Sequence, residues 1–243
     1  MVSILTQVKV TVDSELHRIG SSIIYASQQL STTGLSGEDA RDVLRALAAN
    51  SSFIIDAAST NLNNVIVTVE PASYSDAEGK YIGEQEYINS RSQNPLRPAL
   101  TDMMPMVEGF NSSVIVAPIF ASNGSMIGSV SAIFDPNAII AFAVTSSMGD
   151  KLYEFTTMQL DGRILYDTLS TLQGTYIFTD PIYSGYPEMV NLAYHMVEET
   201  AGYGTYEYTL PESEQSLHKE FYWTTIGAYG TEWRLAIFNT TNA

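Results

Sequence analysis

The sequence predicts an α+β fold: a long N-terminal helix followed by two antiparallel-sheet units in series. Three observations carry this. Apolar residues recur at Leu5, Val8, Val12, Leu16, Ile19, Ile23, Ala26 and Leu30, in the three-and-four steps of a helix face. Short β-branched runs are punctuated by Asn123-Gly124 and Asp161-Gly162, dipeptides that favour tight hairpin turns. The two halves follow the same plan, strands grouped around a helical or irregular segment, as α+β units do.

The first helix is expected from Val2 to about Ser31, without proline and with Gly20 as its only glycine. At ~1.5 Å per residue such a rod is about 44 Å long. A stripe of that length needs a partner along it: its own sheets, a twin helix of a second copy, or both. A second helix is expected from Ser36 as N-cap, with Glu38 and Asp39 in its first turn, to near Asn50. Residues 51–58 read as a short helix through Phe53, Ile54, Ile55, Ala57 and Ala58, and Asn61 to Asn64 as a turn.

Val65 to Val69 is a β-branched strand closed by Pro71, and Tyr81-Ile82 a short second one. Pro95, Pro98 and Pro105 break any long helix between residues 84 and 109. Val114 to Phe120 and Met126 to Phe134 form a hairpin, in which Pro118 must face an edge or a bulge. Asp135-Pro136 starts a helix running to about Met148. The second half predicts a hairpin over residues 155–166 and a helix over 191–200 ended by Gly202 to Gly204. Strands follow over 203–210, 220–226 and 232–238. The expected organisation is 1–52 for the two N-terminal helices, 53–148 for the first unit and 149–243 for the second.

Composition narrows the chemistry. A formal net charge of −16, with 27 acidic against 11 basic residues, argues against nucleic acid and anionic membrane surfaces as partners. With no cysteine, disulfides, thiolate metal sites and cysteine nucleophiles are excluded. His17, His195 and His218 lack metal-ligand spacing, so no metal site is expected. No Gly-x-Ser-x-Gly elbow, P-loop or dinucleotide loop occurs, so neither catalysis nor a cofactor is expected. Acceptor-type triplets begin at Asn50, Asn111, Asn123 and Asn239, marks of a secreted surface. No apolar run is long enough to span a bilayer, and no signal peptide is evident, so the chain reads as a piece cut from between two membrane spans.

What remains is polar aromatic clustering. Tyrosines number 15 against 9 phenylalanines, and tyrosine combines apolar surface with a hydrogen-bonding tip. Between the first strand and the hairpin lie Tyr81, Tyr87, Arg91, Arg97 and Asp102. Tyr87 and Arg91 share a helix face at four-residue spacing. An arginine over a sheet can grip a carboxylate bidentately. Ser113 and Ile115 are expected to supply the sheet floor beneath them.

The stretches Val114–Pro136, Met158–Asp167 and Trp223–Phe238, placed after the long helix, resemble the double Cache domain. This is the extracytoplasmic sensor of prokaryotic histidine kinases and chemoreceptors. The resemblance implies two tandem PAS-like units, a small ligand such as an amino acid or carboxylate held by the membrane-distal first unit, and a membrane-anchored full-length protein. It also implies signal transfer through the long helix, where a homodimer could form. In the amino-acid-binding branch, Tyr87 and Arg91 match the first two motif positions; Ser92, Gln93 and Asn94 replace its Trp-Tyr, and Asp135, which ends its strand before Pro136, suits a helix N-cap better than the branch's later aspartate. The alternative is a non-catalytic surface or adhesion module with a protein partner; a secreted hydrolase ranks third for want of a motif.

Overall fold

The computed structural model describes residues 1–83, 98–149, 152–209 and 216–242. Helix α1 (Val2–Thr33) is a single 32-residue rod. Val8, Val12, Leu16, Ile19, Ile23 and Leu30 are fully buried, so the periodic stripe is its core face. Helix α2 (Glu38–Ala49) follows. Its N-cap is Gly37 at φ 90°, not Ser36, and no side chain caps it. A left-handed turn residue brings the chain into the helix, so the serine falls one position too early.

The stretch expected to be a short helix after Ser52 is instead strand β1 (Ile54–Asn61). All its residues from Asp56 to Thr60 are buried. A strand covered on both faces shows no alternation and cannot be told from a buried helix by pattern. Strand β2 (Ile66–Glu70) is as expected, while Tyr81 makes only a single bridge to Val65. Two short strands follow, β3 (Ala99–Leu100) and β4 (Met104–Pro105), then the hairpin β5 (Asn111–Phe120) and β6 (Met126–Phe134). Helix α3 (Pro136–Met148) starts on its proline.

The second half gives β7 (Glu154–Gln159), β8 (Ile164–Asp167), α4 (Pro187–Glu198), β9 (Ala201–Thr209), β10 (Ser216–Ile226) and β11 (Trp233–Asn242). Gly202 and Gly204 do not end the helix; they lie inside β9. A Cβ at Gly202 would fall 2.1 Å from the Trp223 ring, and one at Gly204 2.6 Å from Phe221. The glycines let β9 lie flat beneath two aromatic rings.

The chain divides into two compact units. One comprises Glu15–Pro136 with Ala228–Thr231, the other Met1–Ser14, Asn137–Gly227 and Glu232–Ala243. Each holds one antiparallel sheet. In the first the order is β2-β1-β6-β5-β3, with β4 also on β5; in the second it is β8-β7-β11-β10-β9. The parallel plan of the halves is therefore real, and the α+β expectation of a long helix and two tandem PAS-like sheets holds.

In the first unit, one face of the sheet is closed by α1 and α2. Ser27 and Ser31 of α1 donate to the carbonyls of Pro118 (2.7 Å) and Phe120 (2.5 Å) in β5. Ser59 and Thr68 both donate to the Leu35 carbonyl between the helices. Arg41 of α2 spans Glu70 (3.1 Å) and Glu78 (2.7 Å). These bonds mark Ser59, Thr68 and Glu70 as the helix-side residues of their strands.

In the second unit, a core of Met158, Ile164, Met196, Phe221 and Trp223 lies between sheet and α4. Arg234, only 3% exposed, points its guanidinium at the last turn of α4. It donates to the carbonyls of Met196 (2.7 Å), Val197 (3.1 Å) and Glu199 (3.2 Å), which the helix end leaves unpaired.

Candidate ligand-binding site

Antiparallel pairing fixes what the other face of the first sheet carries. Across the sheet, Asp56 pairs with Ile133 and Ala58 with Ser131, and Ile133 in turn pairs with Val114. Successive side chains of a strand point to opposite sides. Asp56, Ala58, Thr60, Val114, Ser131 and Ile133 therefore share the face opposite the helices.

A cavity of about 70 Å³ lies over this face. The sheet contributes Ala58, Thr60, Ile66, Val114, Ser131 and Ile133. The segment from Met104 to Glu108 and Ile82 enclose it. Its character is apolar with thioethers, edged by two hydroxyls and one acid. Tyr74 backs this region and meets Phe110 edge-on at 6.3 Å between ring centres.

Two acids set the electrostatics. Asp56 is wholly buried, and neither carboxylate oxygen has a hydrogen-bond partner. Glu108 is part of the cavity wall, and its Oε2 is likewise enclosed and unbonded. Burial, and then the charge of Glu108, push the Asp56 carboxyl up to about 8. A wholly buried acid without a hydrogen-bond partner is costly, so Asp56 on the face that carries the cavity is chemically informative.

The sequence expectations are met unevenly. Ser113 and Ile115 are fully buried, but they sit on the helix side of β5; the cavity takes Val114 between them. Ser113 and Ile115 thus face away from this cavity, because side chains along a strand alternate with a period of two. Tyr81 is half exposed, and its neighbour Ile82 lines the cavity instead. Asp102 is exposed, between β3 and β4. Tyr87, Arg91 and Arg97 lie outside the described residues. Asp56 and Glu108 were not anticipated. The available signal was an acid inside the apolar run Phe53–Ala58, legible once that run is read as a strand.

The second unit has a smaller apolar cavity, about 50 Å³, lined by Met158, Leu172, Tyr183, Met189 and Phe238 among others, with Asp167. Burial raises the Asp167 carboxyl, but Thr156 and the Leu169 amide already donate to it. Its polar group is satisfied by the fold itself. A wider groove of about 680 Å³ runs between α1 and α2 past Arg18, Tyr25 and Asn50. Among the described residues it holds no buried unpaired polar group. No cluster of three metal-ligating side chains occurs among the described residues, and no helix there is long and apolar enough to cross a membrane.

Comparison with known proteins follows the same lines. No curated protein matches the chain in sequence. An extracellular ligand-binding receptor from Desulfohalobium retbaense is 28% identical with a TM-score of 0.80, over 97% of this chain and 39% of that one. This chain thus spans about two fifths of that receptor's length. The ligand-binding domain of the Pseudomonas aeruginosa amino acid chemoreceptor PctB, in complex with L-Gln, shares the fold. It is 16% identical with a TM-score of 0.62, over 97% and 88% of the two chains. So does that of the Campylobacter jejuni chemoreceptor Tlp3 in complex with 4-methylisoleucine, at 11% identity and a TM-score of 0.61, over 98% and 88%. The likeness to Cache-type sensor domains expected from the hairpins and the long helix is borne out. Residues 14–136, half of the chain and nearly all of the first unit, match one family model. The chain belongs to the HK/GC/chemotaxis protein-like sensor-domain family.

Proposed function

We propose that this chain is the extracytoplasmic ligand-binding part of a membrane-anchored receptor, and that the first unit holds a small metabolite over the sheet face opposite the helices. The observation that carries this is the cavity enclosed by Met104 to Glu108, with Glu108 in its wall and the buried, unbonded Asp56 on the same sheet face. A merely structural core would fill such a space with side chains and leave no acid unpaired. Relatives of the same fold hold L-Gln and 4-methylisoleucine, which supports a ligand of amino-acid size. From their chemistry alone, Arg91 or Arg97 is proposed to grip a ligand carboxylate, with Tyr87 beside it.

Signal transfer to a kinase or chemotaxis output is proposed to use α1, whose residues belong to both units. A homodimer through α1 is part of the same proposal. For output, binding must favour one of two helix packings over the other.

The test is a thermal-shift screen of the purified chain against amino acids, amines and small carboxylates. A ligand at a hundredfold excess over its Kd stabilises by about 2.7 kcal/mol, a shift of several degrees. The expected result is a dose-dependent rise for one chemical class. No rise with any metabolite at millimolar concentration overturns the reading.

A further inference from the structure

We propose that Asn123 is a glycan acceptor, to whose side-chain amide nitrogen an oligosaccharyltransferase outside the cytoplasm joins a sugar. The proposal rests on the extracytoplasmic placement of the chain and not on what the cavity binds.

Asn-x-Ser/Thr triplets begin at Asn50, Asn111, Asn123 and Asn239, and the fold presents them differently. A transferase must reach the amide and the hydroxyl two residues on at the same time. At Asn50, on the end of α2, the side-chain oxygen accepts from Arg18 (2.8 Å) and Ser22 (2.9 Å) of α1, which hold it against the neighbouring helix. At Asn111 the hydroxyl belongs to Ser113, which is fully buried within β5. Asn239 and Thr241 lie inside β11, paired with Glu220 and His218 of β10. Extended backbone there keeps the two side chains about 6.6 Å apart.

Asn123 differs on each point. Its triplet lies wholly in the turn between β5 and β6, and Asn123, Gly124 and Ser125 are all exposed. The Asn123 Oδ1 accepts from the Ser125 N–H at 3.0 Å and from the Ser125 hydroxyl at 2.7 Å. This Asx turn sets amide and hydroxyl side by side. A backbone N–H can only donate, so the atom facing Ser125 is the oxygen, and Nδ2 is the other arm of the amide. Gly124, at φ 81°, puts no side chain between them.

In the transfer, Nδ2 attacks the anomeric carbon of a sugar carried on a polyprenyl phosphate or diphosphate. The carbon–oxygen bond to phosphate breaks, the phosphate leaves with the electron pair, and an Nδ2 proton passes to a base of the transferase.

The test is mass spectrometry of peptides spanning the four triplets, from the full-length protein produced in its own cells, with N123Q, S125A and S125T variants. A glycan mass is expected on Asn123, lost in N123Q and S125A and kept in S125T, with the other three asparagines bare. No residue of the turn lines the cavity, so the variants should keep the parent's response to metabolites. An Asn123 that is unmodified or only deamidated overturns the proposal, as does a glycan at equal occupancy on Asn50, Asn111 or Asn239. A membrane-impermeant amine reagent applied to intact cells separates the two ways of failing. Labelled lysines with a bare Asn123 overturn this proposal alone; lysines that stay unlabelled overturn the extracytoplasmic placement as well.

Discussion

Gly20 of α1 faces the ring of Tyr229 so closely that a Cβ there would lie 2.2 Å from the tyrosine oxygen. The same hydroxyl donates to the His17 carbonyl at 3.3 Å, and the rings of His17 and Tyr229 are tilted together at 5.4 Å. The only glycine of the long helix is thus a seat for one aromatic ring. Gly20→Ala should destabilise by about 1–3 kcal/mol through overpacking. In the Tyr229→Ala background the same change should cost little, since alanine is the better helix former. A double-mutant cycle by urea unfolding gives the coupling, expected above about 1 kcal/mol.

Asp56 should make stability fall with rising pH. Its folded carboxyl titrates near 8, above the ordinary 3.8, so between those values the folded state keeps a proton that the unfolded state has lost. The stabilisation is complete below about pH 4, declines by roughly 1.4 kcal/mol per pH unit through the window, and is gone above the folded value. Asp56→Asn keeps the shape without the titration. The variant should match the parent near pH 4 and exceed it in melting temperature by a margin that grows up to pH 8.

Arg234 closes the end of α4 with three carbonyl bonds from a buried position. Arg234→Ala should cost about 2–4 kcal/mol, because buried acceptors lose their donors and a cavity opens. Arg234→Lys should recover part of that, as a point charge cannot reproduce the fork. Chemical denaturation of the three proteins decides it.

Gly128 of β6 sits where a Cβ would meet the Thr60 carbonyl oxygen at 2.2 Å and the Leu35 side chain at 2.9 Å. The first obstacle is backbone of a paired strand and cannot rotate away. Gly128→Ala should lower stability by about 3 kcal/mol, seen as a melting-temperature drop of roughly 6–12 °C.

The fold was legible where one face of an element meets water. Helix α1 shows its period because Thr6, Thr11 and Gln28 alternate with the buried stripe, and both hairpins announce themselves through Asn-Gly and Asp-Gly. Strand β1 was hidden because both its faces are covered, leaving Ile54 to Ala58 without a pattern. The site suffered from the same cause. With β1 unread, Asp56 had no face, and Glu108 lay in a proline-broken stretch with no period. Ser113 and Ile115 lie on the strand that floors the cavity, but alternation alone does not say which side of a doubly covered sheet carries that cavity. Only the cross-strand register, with Val114 opposite Ile133, decides that.

The two serine bonds from α1 to β5 set a spacing. Ser27 and Ser31 are four residues apart, about 6 Å along a helix, and the carbonyls of Pro118 and Phe120 are two residues apart, about 6.6 Å along a strand. The two ladders match like teeth on a rack. Gliding by a fraction of a turn breaks both contacts at once. A full notch brings one serine to the other's carbonyl; with Ser27 at Phe120, Ile23 stands against Pro118. Against this strand, the helix has one register that keeps both bonds.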